Sequence, residues 1–411
     1  MTGDGIADVI VRGSLMRSDG DGGSSEERFV EIYVGRVGGA PTAFDQRIAI
    51  GNGLRSIAVA DVTGDGIADL LVGDGAAASG RGVVRVFAGG ALPLMQVSEI
   101  ESPESRAGAF GMIVDALGDL NGDGYADVAV QAPGTPLSVG ANRLHVFAGS
   151  SAGVSSRPAR TFAALADEIM SQVAGCDIDG DGLHDLLFSA SRTGGAGPWS
   201  INVHRGDPVT LISESPRSVT GSAMTTSIVL LVCAGDVDAD GFNDVAVTEG
   251  RMSAPTRGLV LRGGSAGLVA TELLAIESNV GGGMHRLGLN VGGDIDADGR
   301  ADLLVDWHGT ISLSPTTRLL TAPSFSYATG IELGEVPTVA ALTGTFTRAT
   351  KTLGDIDGDG YFDFAFARSN TDLMPSGMEL HFRFGAADSV DVARRARVTR
   401  RGGAFLDVVG L

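Results

Sequence analysis

The sequence predicts an all-β chain: a seven-bladed β-propeller of four-stranded blades, with the first blade closed by the C-terminal strand. Two observations carry that prediction. First, a nine-residue word of Asp and Gly returns at a fixed period. Its full copies occupy residues 61–69, 119–127, 177–185, 236–244, 294–302 and 355–363, starting 58, 58, 59, 58 and 61 residues apart. A truncated seventh copy fills residues 1–8. One fixed period of this kind marks a repeat architecture. Second, each word is followed by a short apolar run, such as Leu70-Leu71-Val72 or Val128-Ala129-Val130, and then by turn residues. Such runs read as buried strands.

The unit starting at Asp119 shows the elements in order. Its word leads into residues 128–130 and a turn at Pro133-Gly134. Residues 143–147 then alternate as a strand does, a weaker strand follows at 160–163, and residues 172–176 lead into the next word. Four short strands per repeat is the count of a propeller blade. The third strand recurs at residues 83–87, 201–204, 259–261 and 379–384, while residues 307–352 alternate weakly. No segment carries a helical stripe. The repeat argues for one domain over residues 1–411, although that length would hold two or three ordinary domains.

Each word has the chemistry of a metal loop. Side-chain oxygens at positions 1, 3, 5 and 9, with the carbonyl of position 7, suit a hard cation the size of calcium. The ligands so read are Asp61, Thr63, Asp65, Ile67 and Asp69; Asp119, Asn121, Asp123, Tyr125 and Asp127; and Asp177, Asp179, Asp181, Leu183 and Asp185. The later loops supply Asp236, Asp238, Asp240, Phe242 and Asp244; Asp294, Asp296, Asp298, Arg300 and Asp302; and Asp355, Asp357, Asp359, Tyr361 and Asp363. Five or six calcium ions are expected. The truncated copy offers Thr2, Asp4, Ile6 and Asp8 and is expected to bind weakly or not at all. Position 6 is always Gly, where a loop that curls its carboxylates inward needs positive φ. EF-hands are excluded: position 12 is Val or Phe rather than the Glu that motif needs, and no helix follows.

Composition agrees. Glycine supplies 62 of 411 residues, about twice the usual share, as many tight turns require. The net charge of −20 disfavours nucleic acid or an anionic membrane as partner. Much of it sits in the loops, and six divalent ions would bring it to −8. No apolar run reaches the ~18 residues of a membrane span. Met1 leads directly into a loop, so the chain reads as an excised domain whose secretion signal lies outside it. Cys176 and Cys233 precede successive loops and read as small core residues rather than a disulfide, leaving the redox compartment open.

The chain ends complement one another. Residues 402–410 resemble 108–116, the first strand of a blade, but no loop follows; the N-terminus has a loop with no strand before it. The first blade should therefore take its inner strand from the C-terminus, which removes exposed sheet edges.

These residues resemble the FG-GAP repeats of integrin alpha subunits and of many secreted bacterial proteins. The likeness rests on the loops and their spacing, on Phe110-Gly111 and Ala132-Pro133-Gly134, and on the run from Val146 to Gly153. It implies a seven-bladed propeller with calcium in the strand 1-to-2 loops on one face. It also implies an extracellular, cell-surface or periplasmic setting and an adhesion or ligand-binding role. Most units lack the literal FG and GAP words, and no inserted domain is visible, so integrin-type signalling is not implied.

Trp199 and Trp307 each follow a second strand, and with His285 and Arg286 they fall on the face opposite the loops, where a protein or glycan would bind. Strand-end packing is the competing reading of both tryptophans. Arg205-Gly206-Asp207 spells an adhesion tripeptide but occupies a turn position. Residues 12–28 read as a solvated loop, and the arginines from Arg394 to Arg401 as a solvated outer strand. His145, His204 and His381 repeat one strand position and cannot converge. With no nucleophile beside a base, the expected function is non-catalytic ligand binding. A lectin or polysaccharide-lyase-like propeller and a structural spacer are the alternatives.

Overall fold

In the sheets that follow the chain order, the first strand runs into an Asp-Gly loop, the loop ends at a buried Asp, and that Asp opens the second strand, as a computed structural model shows for the loops it describes in full. It describes residues 1–18, 24–39, 41–105, 108–133, 142–165, 168–192, 198–214, 216–221, 227–250, 257–270, 272–277, 286–294, 299–308, 316–320, 346–370, 377–386, 389–401 and 403–410. The chain is an all-β propeller of four-stranded blades. Among the described residues there are six four-stranded sheets, one three-stranded sheet and a two-stranded hairpin.

The chain divides into two compact units. The first holds four blades. Their innermost strands are Leu54–Ala60, Ile113–Gly118, Glu168–Cys176 and Ser227–Gly235. In each blade the strands pair antiparallel in chain order, as in Ile113–Gly118, Asp127–Ala132, Arg143–Phe147 and Arg160–Ala163. The buried second strands Asp69–Asp74 and Asp127–Ala132 have both faces covered, which is why they read as continuous apolar runs rather than alternating ones. The core lies between blades. Leu71, Val84, Val86 and Ile100 of one sheet meet Val114, Val128, Val130 and Phe147 of the next. Phe110 is fully buried among them, edge-on to Phe147 at 5.9 Å. Gly111 follows at φ 85°, where a Cβ would also lie 2.8 Å from the Val83 carbonyl.

The second unit holds the remaining sheets. Arg286–Gly293, Asp302–His308 and Thr316–Leu320 form the three-stranded one. Residues 321–345, which follow it, lie outside the described residues. Phe346–Gly354, Asp363–Asn370, Gly377–Ala386 and Ser389–Arg401 form a four-stranded sheet. In the last sheet Gly403–Gly410 pairs antiparallel with Val9–Ser18, which pairs with Ser24–Tyr33 and then Gln46–Ala49. The C-terminal strand therefore pairs beside the N-terminal hairpin. Val9, Val11 and Tyr33 pack on Leu353, Leu380 and Phe382 of the preceding sheet.

Two expectations are corrected. Residues 12–18 and 24–28 belong to a long hairpin rather than a solvated loop, because Arg12 to Ser18 pair in register with Val30 to Ser24. Asp19 and Asp21 lie outside the described residues. Cys176 and Cys233 form a disulfide, with Cα atoms 5.4 Å apart. Each sits on the inner strand of its blade, and 57 residues is close to one repeat, so neighbouring blades bring them to the same height. They also belong to the core that the two blades share. The only helical segment among the described residues is a turn at Ala77–Gly80, and no helix there is long and apolar enough to cross a membrane.

Candidate metal loops

Short side chains that hydrogen-bond their own backbone shape every loop. In the 119 loop the Asp119 carboxylate accepts N–H bonds from Gly122 at 2.7 Å and Gly124 at 2.8 Å, and Asp123 accepts from Tyr125 at 3.1 Å. The 61, 177 and 355 loops repeat the pattern: Asp61 to Gly64 and Gly66, Asp177 to Gly180 and Gly182, Asp355 to Gly358 and Gly360. Donating inward bends the backbone, and the sixth position absorbs the bend at φ between 82° and 93° from Gly66 to Gly360. Asp4 begins the same turn in the truncated loop by accepting the Ile6 N–H at 3.0 Å.

The ninth-position carboxylate does something the sequence pattern does not reveal. Asp8, Asp69, Asp127, Asp185, Asp244, Asp302 and Asp363 are all buried. Asp127 accepts the Leu120 N–H at 2.9 Å through one oxygen and the Gly149 N–H at 3.0 Å through the other. Gly149 begins the turn after the third strand, so one carboxylate ties the start of the loop to the far side of the blade. Asp69 binds Val62 and Gly89 in this way, Asp185 binds Ile178 and Gly206, and Asp363 binds Ile356 and Gly385. The glycine is required because a Cβ on Gly89 or Gly149 would lie 2.4 Å from the carbonyl of Ala68 or Ala126. Burial lifts the carboxyl of Asp127 to about 6 and those of Asp185 and Asp363 to about 7, against the opposing pull of those two N–H bonds.

Neighbouring loops are also bonded to one another. The eighth-position N–H donates to the first-position carbonyl of the loop before it: Ala126 to Asp61 at 2.9 Å, His184 to Asp119 at 2.9 Å and Ala7 to Asp355 at 2.8 Å. The Asn243 side chain does the same for Asp177 at 2.9 Å. Position 7 offers its carbonyl to a metal in the sequence reading, and its side chain has a second use. The Tyr125 ring covers Gly64, Leu183 covers Gly122, and Phe242 covers Gly180.

The donor set fits a divalent hard cation. Ligand oxygens of Asp177, Asp179 and Asp185 lie within 4.8 Å of one another, as do those of Asp236, Asp238 and Asp244, and those of Asp355, Asp357 and Asp359. Asp179 and Asp357 are buried acids at the third position. Holding several carboxylates this close without a cation is electrostatically costly. Asp296 and Asp298 lie outside the described residues, whereas Asp294, Arg300 and Asp302 bracket that loop in place.

The proposed ligand face fares differently. Trp199 precedes the Ser200–His204 strand but is 2% exposed, in the core between two blades, and its indole N–H donates to Glu249 at 2.8 Å. Gly221 leaves room for the ring, since a Cβ there would lie 2.2 Å from it. Trp199 therefore presents no face to a ligand; strand-end packing is the reading the structure supports. Trp307 lies inside the Asp302–His308 strand, opposite Leu287 and Thr316, rather than after it. Arg286 opens the Arg286–Gly293 strand, and His285 lies outside the described residues. The adhesion tripeptide is folded into a turn: Gly206–Asp207 pairs with Leu211–Ile212, and Asp207 accepts the N–H groups of Val209 and Thr210. Burial holds His145 and His204 below the usual imidazole value, and each bonds within its own blade, to Thr161 and to the Ser213 carbonyl.

Comparison with known proteins agrees with this architecture. The FG-GAP-like repeat family matches residues 1–72 and 119–188. Integrin alpha-PS5 of Drosophila melanogaster is 31% identical over 176 residues, covering 40% of this chain and 17% of that protein. Human integrin alpha-IIb is 36% identical over 172 residues, covering 38% of this chain and 16% of that protein. The matched stretch is thus about one sixth of those relatives' length. The crystal structure of an exotype rhamnogalacturonan lyase aligns over 97% of this chain and 79% of its own, at 11% identity and a TM-score of 0.42. That likeness is too slight to carry an argument.

Proposed function

This chain belongs to the FG-GAP-repeat, integrin-alpha-like propellers, and from that premise we propose that residues 1–411 form one seven-bladed ring acting as a non-catalytic ligand-binding or adhesion module. The pairing of Gly403–Gly410 with Val9–Ser18 supports closure of the ring through the first blade. The three-stranded sheet supplies the seventh blade. Calcium is its structural ion, held by positions 1, 3, 5 and 9 of the full loops with the position-7 carbonyl; the truncated loop binds weakly or stays empty. The observation that carries this reading is the repeated convergence of buried carboxylates in loops whose backbone is already folded around them.

When bound, the ion supplies charge neutralisation and cross-links the loop; the chain's own residues do the positioning. The ninth Asp sets the loop's height on the blade, and the first Asp gathers the backbone N–H groups. The setting is extracellular, cell-surface or periplasmic. The disulfide supports that, since such bonds persist in oxidising compartments, and so does relation to integrin alpha subunits. The partner is a protein bound on the face away from the loops. With Trp199 buried, the glycan reading loses one of its aromatic candidates.

Thermal unfolding with calcium and with chelator, beside a count of bound ions, tests the proposal. At ~1 mM calcium and a dissociation constant of ~10 μM, each site adds roughly 2.7 kcal/mol. A calcium-dependent rise in melting temperature with five or six ions bound is expected. No shift and no bound calcium would overturn the metal assignment.

A further inference from the structure

Two of the loops receive a positive charge from the residue just after the third strand of their blade. Arg205 follows the third strand of its blade, directly before Gly206, whose N–H donates to Asp185 at 3.0 Å. Arg262 holds the equivalent place before Gly263, which donates to Asp244 at 3.0 Å. In the other described blades the residue before this glycine is Val34, Ala88, Ala148 or Phe384, all apolar. Arg205 reaches back into its loop and places Nη2 2.6 Å from Oδ2 of Asp179, while also donating to the Ser265 carbonyl at 3.0 Å. Arg262 sets Nε at 2.9 Å and Nη2 at 2.8 Å from a single oxygen of Asp240.

These contacts engage oxygens at the third and fifth positions, the ones a cation would use. The Asp179 side chain is only 1% exposed, whereas Arg205 is 37% exposed, so salt reaches the pair from the arginine's side. A guanidinium keeps its charge at any pH the protein survives. The competition therefore cannot be removed by titration. The 177 and 236 loops each have four acidic residues, against three in the 61 and 119 loops. The arginine brings their local charge down to that of the three-acid loops. The 355 loop also has four acids but has Phe384 at this place.

We propose that Arg205 and Arg262 are tethered cations that weaken calcium binding by the 177 and 236 loops, dividing the sites into a weak class and a tight class headed by the 355 loop. This rests on the calcium reading of the loops. It extends that reading by assigning the affinity of individual sites to a residue outside the nine-residue word. As the calcium level falls, those two loops empty first.

Titration of the full chain with calcium chloride against a chromophoric chelator tests it, for wild type and for Arg205→Gln, Arg262→Gln and the double variant. Glutamine keeps a hydrogen-bond donor and drops the charge. Each substitution is expected to move one ion from the weak to the tight class, about tenfold tighter at low salt, with the gain shrinking as salt is raised. A gain that does not shrink with salt, an unchanged isotherm, or weaker binding in the variants overturns the inference, the last by showing that the arginines position the carboxylates. If a variant does not fold, the salt dependence of wild type decides: the weak class should tighten relative to the tight one as salt rises, and parallel responses overturn the proposal. Calcium binding that the variants leave untouched refutes this inference alone. Absence of calcium binding in every protein refutes the metal reading and this inference with it.

Discussion

Replacing Asp127 with Ala and, separately, Asp123 with Ala distinguishes two jobs that the repeat motif merges. Asp127 is fully buried and satisfies two backbone N–H groups, those of Leu120 and Gly149, at 2.9 and 3.0 Å. Truncation leaves both donors without that acceptor in a dry site. At roughly 1–3 kcal/mol for each stranded group, the loss is about 2–6 kcal/mol with no metal present. Asp123 is exposed, and its hydrogen bonds with Asp119, Asn121 and Tyr125 stay within the loop. Removing its charge relieves repulsion from Asp119, so in chelator the Asp123→Ala protein should be within about 0.5 kcal/mol of wild type. In calcium it should forfeit the stabilisation of one site. Urea unfolding at pH 7.5, in chelator and in 1–2 mM (about) calcium, reads both effects. If Asp127→Ala proves neutral in chelator, the ninth carboxylate is a metal ligand only and the latch described above is wrong.

Acidity should act with opposite sign with and without the ion. The carboxyls of Asp185 and Asp363 sit at about 7 and that of Asp127 at about 6. Their folded values are raised, so in chelator the burden of ionising them is present above pH 7 and is relieved as pH falls through 7 and 6. Calcium must displace those protons, so apparent affinity should drop over the same interval; an affinity flat from pH 8 to pH 6 (roughly) would contradict it. Cys233→Ala removes a crosslink spanning 57 residues and should lower stability by up to about 4 kcal/mol, with reductant producing a similar fall in wild type; detection of two free thiols in the native protein would count against the bond. Trp199→Phe deletes the N–H bond to buried Glu249 and should cost about 1.5–3 kcal/mol by urea midpoint, whereas a neutral result would place the ring at the surface. Ala239 takes φ of 59° at the loop position where Gly64, Gly122, Gly180 and Gly358 stand. Ala239→Gly should therefore stabilise by about 0.5 kcal/mol, the relief of a left-handed residue less the added freedom of the unfolded chain.

Much of the architecture was legible because it repeats. The period located the strands following each loop, and the fourth strand of the 119 unit falls at Arg160–Ala163 as the pattern indicated. The sixth-position glycines adopt the positive φ that the loop chemistry demanded. The complementary ends of the chain pointed to the pairing of Gly403–Gly410 with Val9–Ser18. Strand extension into residues 12–18 was missed because a polar, Gly-rich tip looks like loop whatever lies beneath it.

What the sequence determined by itself is local: a nine-residue word encodes its own turns, because Asp and Gly at fixed spacing decide where the backbone bends and which N–H groups point inward. What only the tertiary structure decided is which distant groups share that space. It brought the Gly149 N–H to Asp127, Cys233 to Cys176, Glu249 to Trp199 and Arg205 to Asp179. Each partner is separated from its mate by 22 to 57 residues. No spacing rule of one repeat announces such pairs, because they are fixed by how strands stack and how closely neighbouring blades pack.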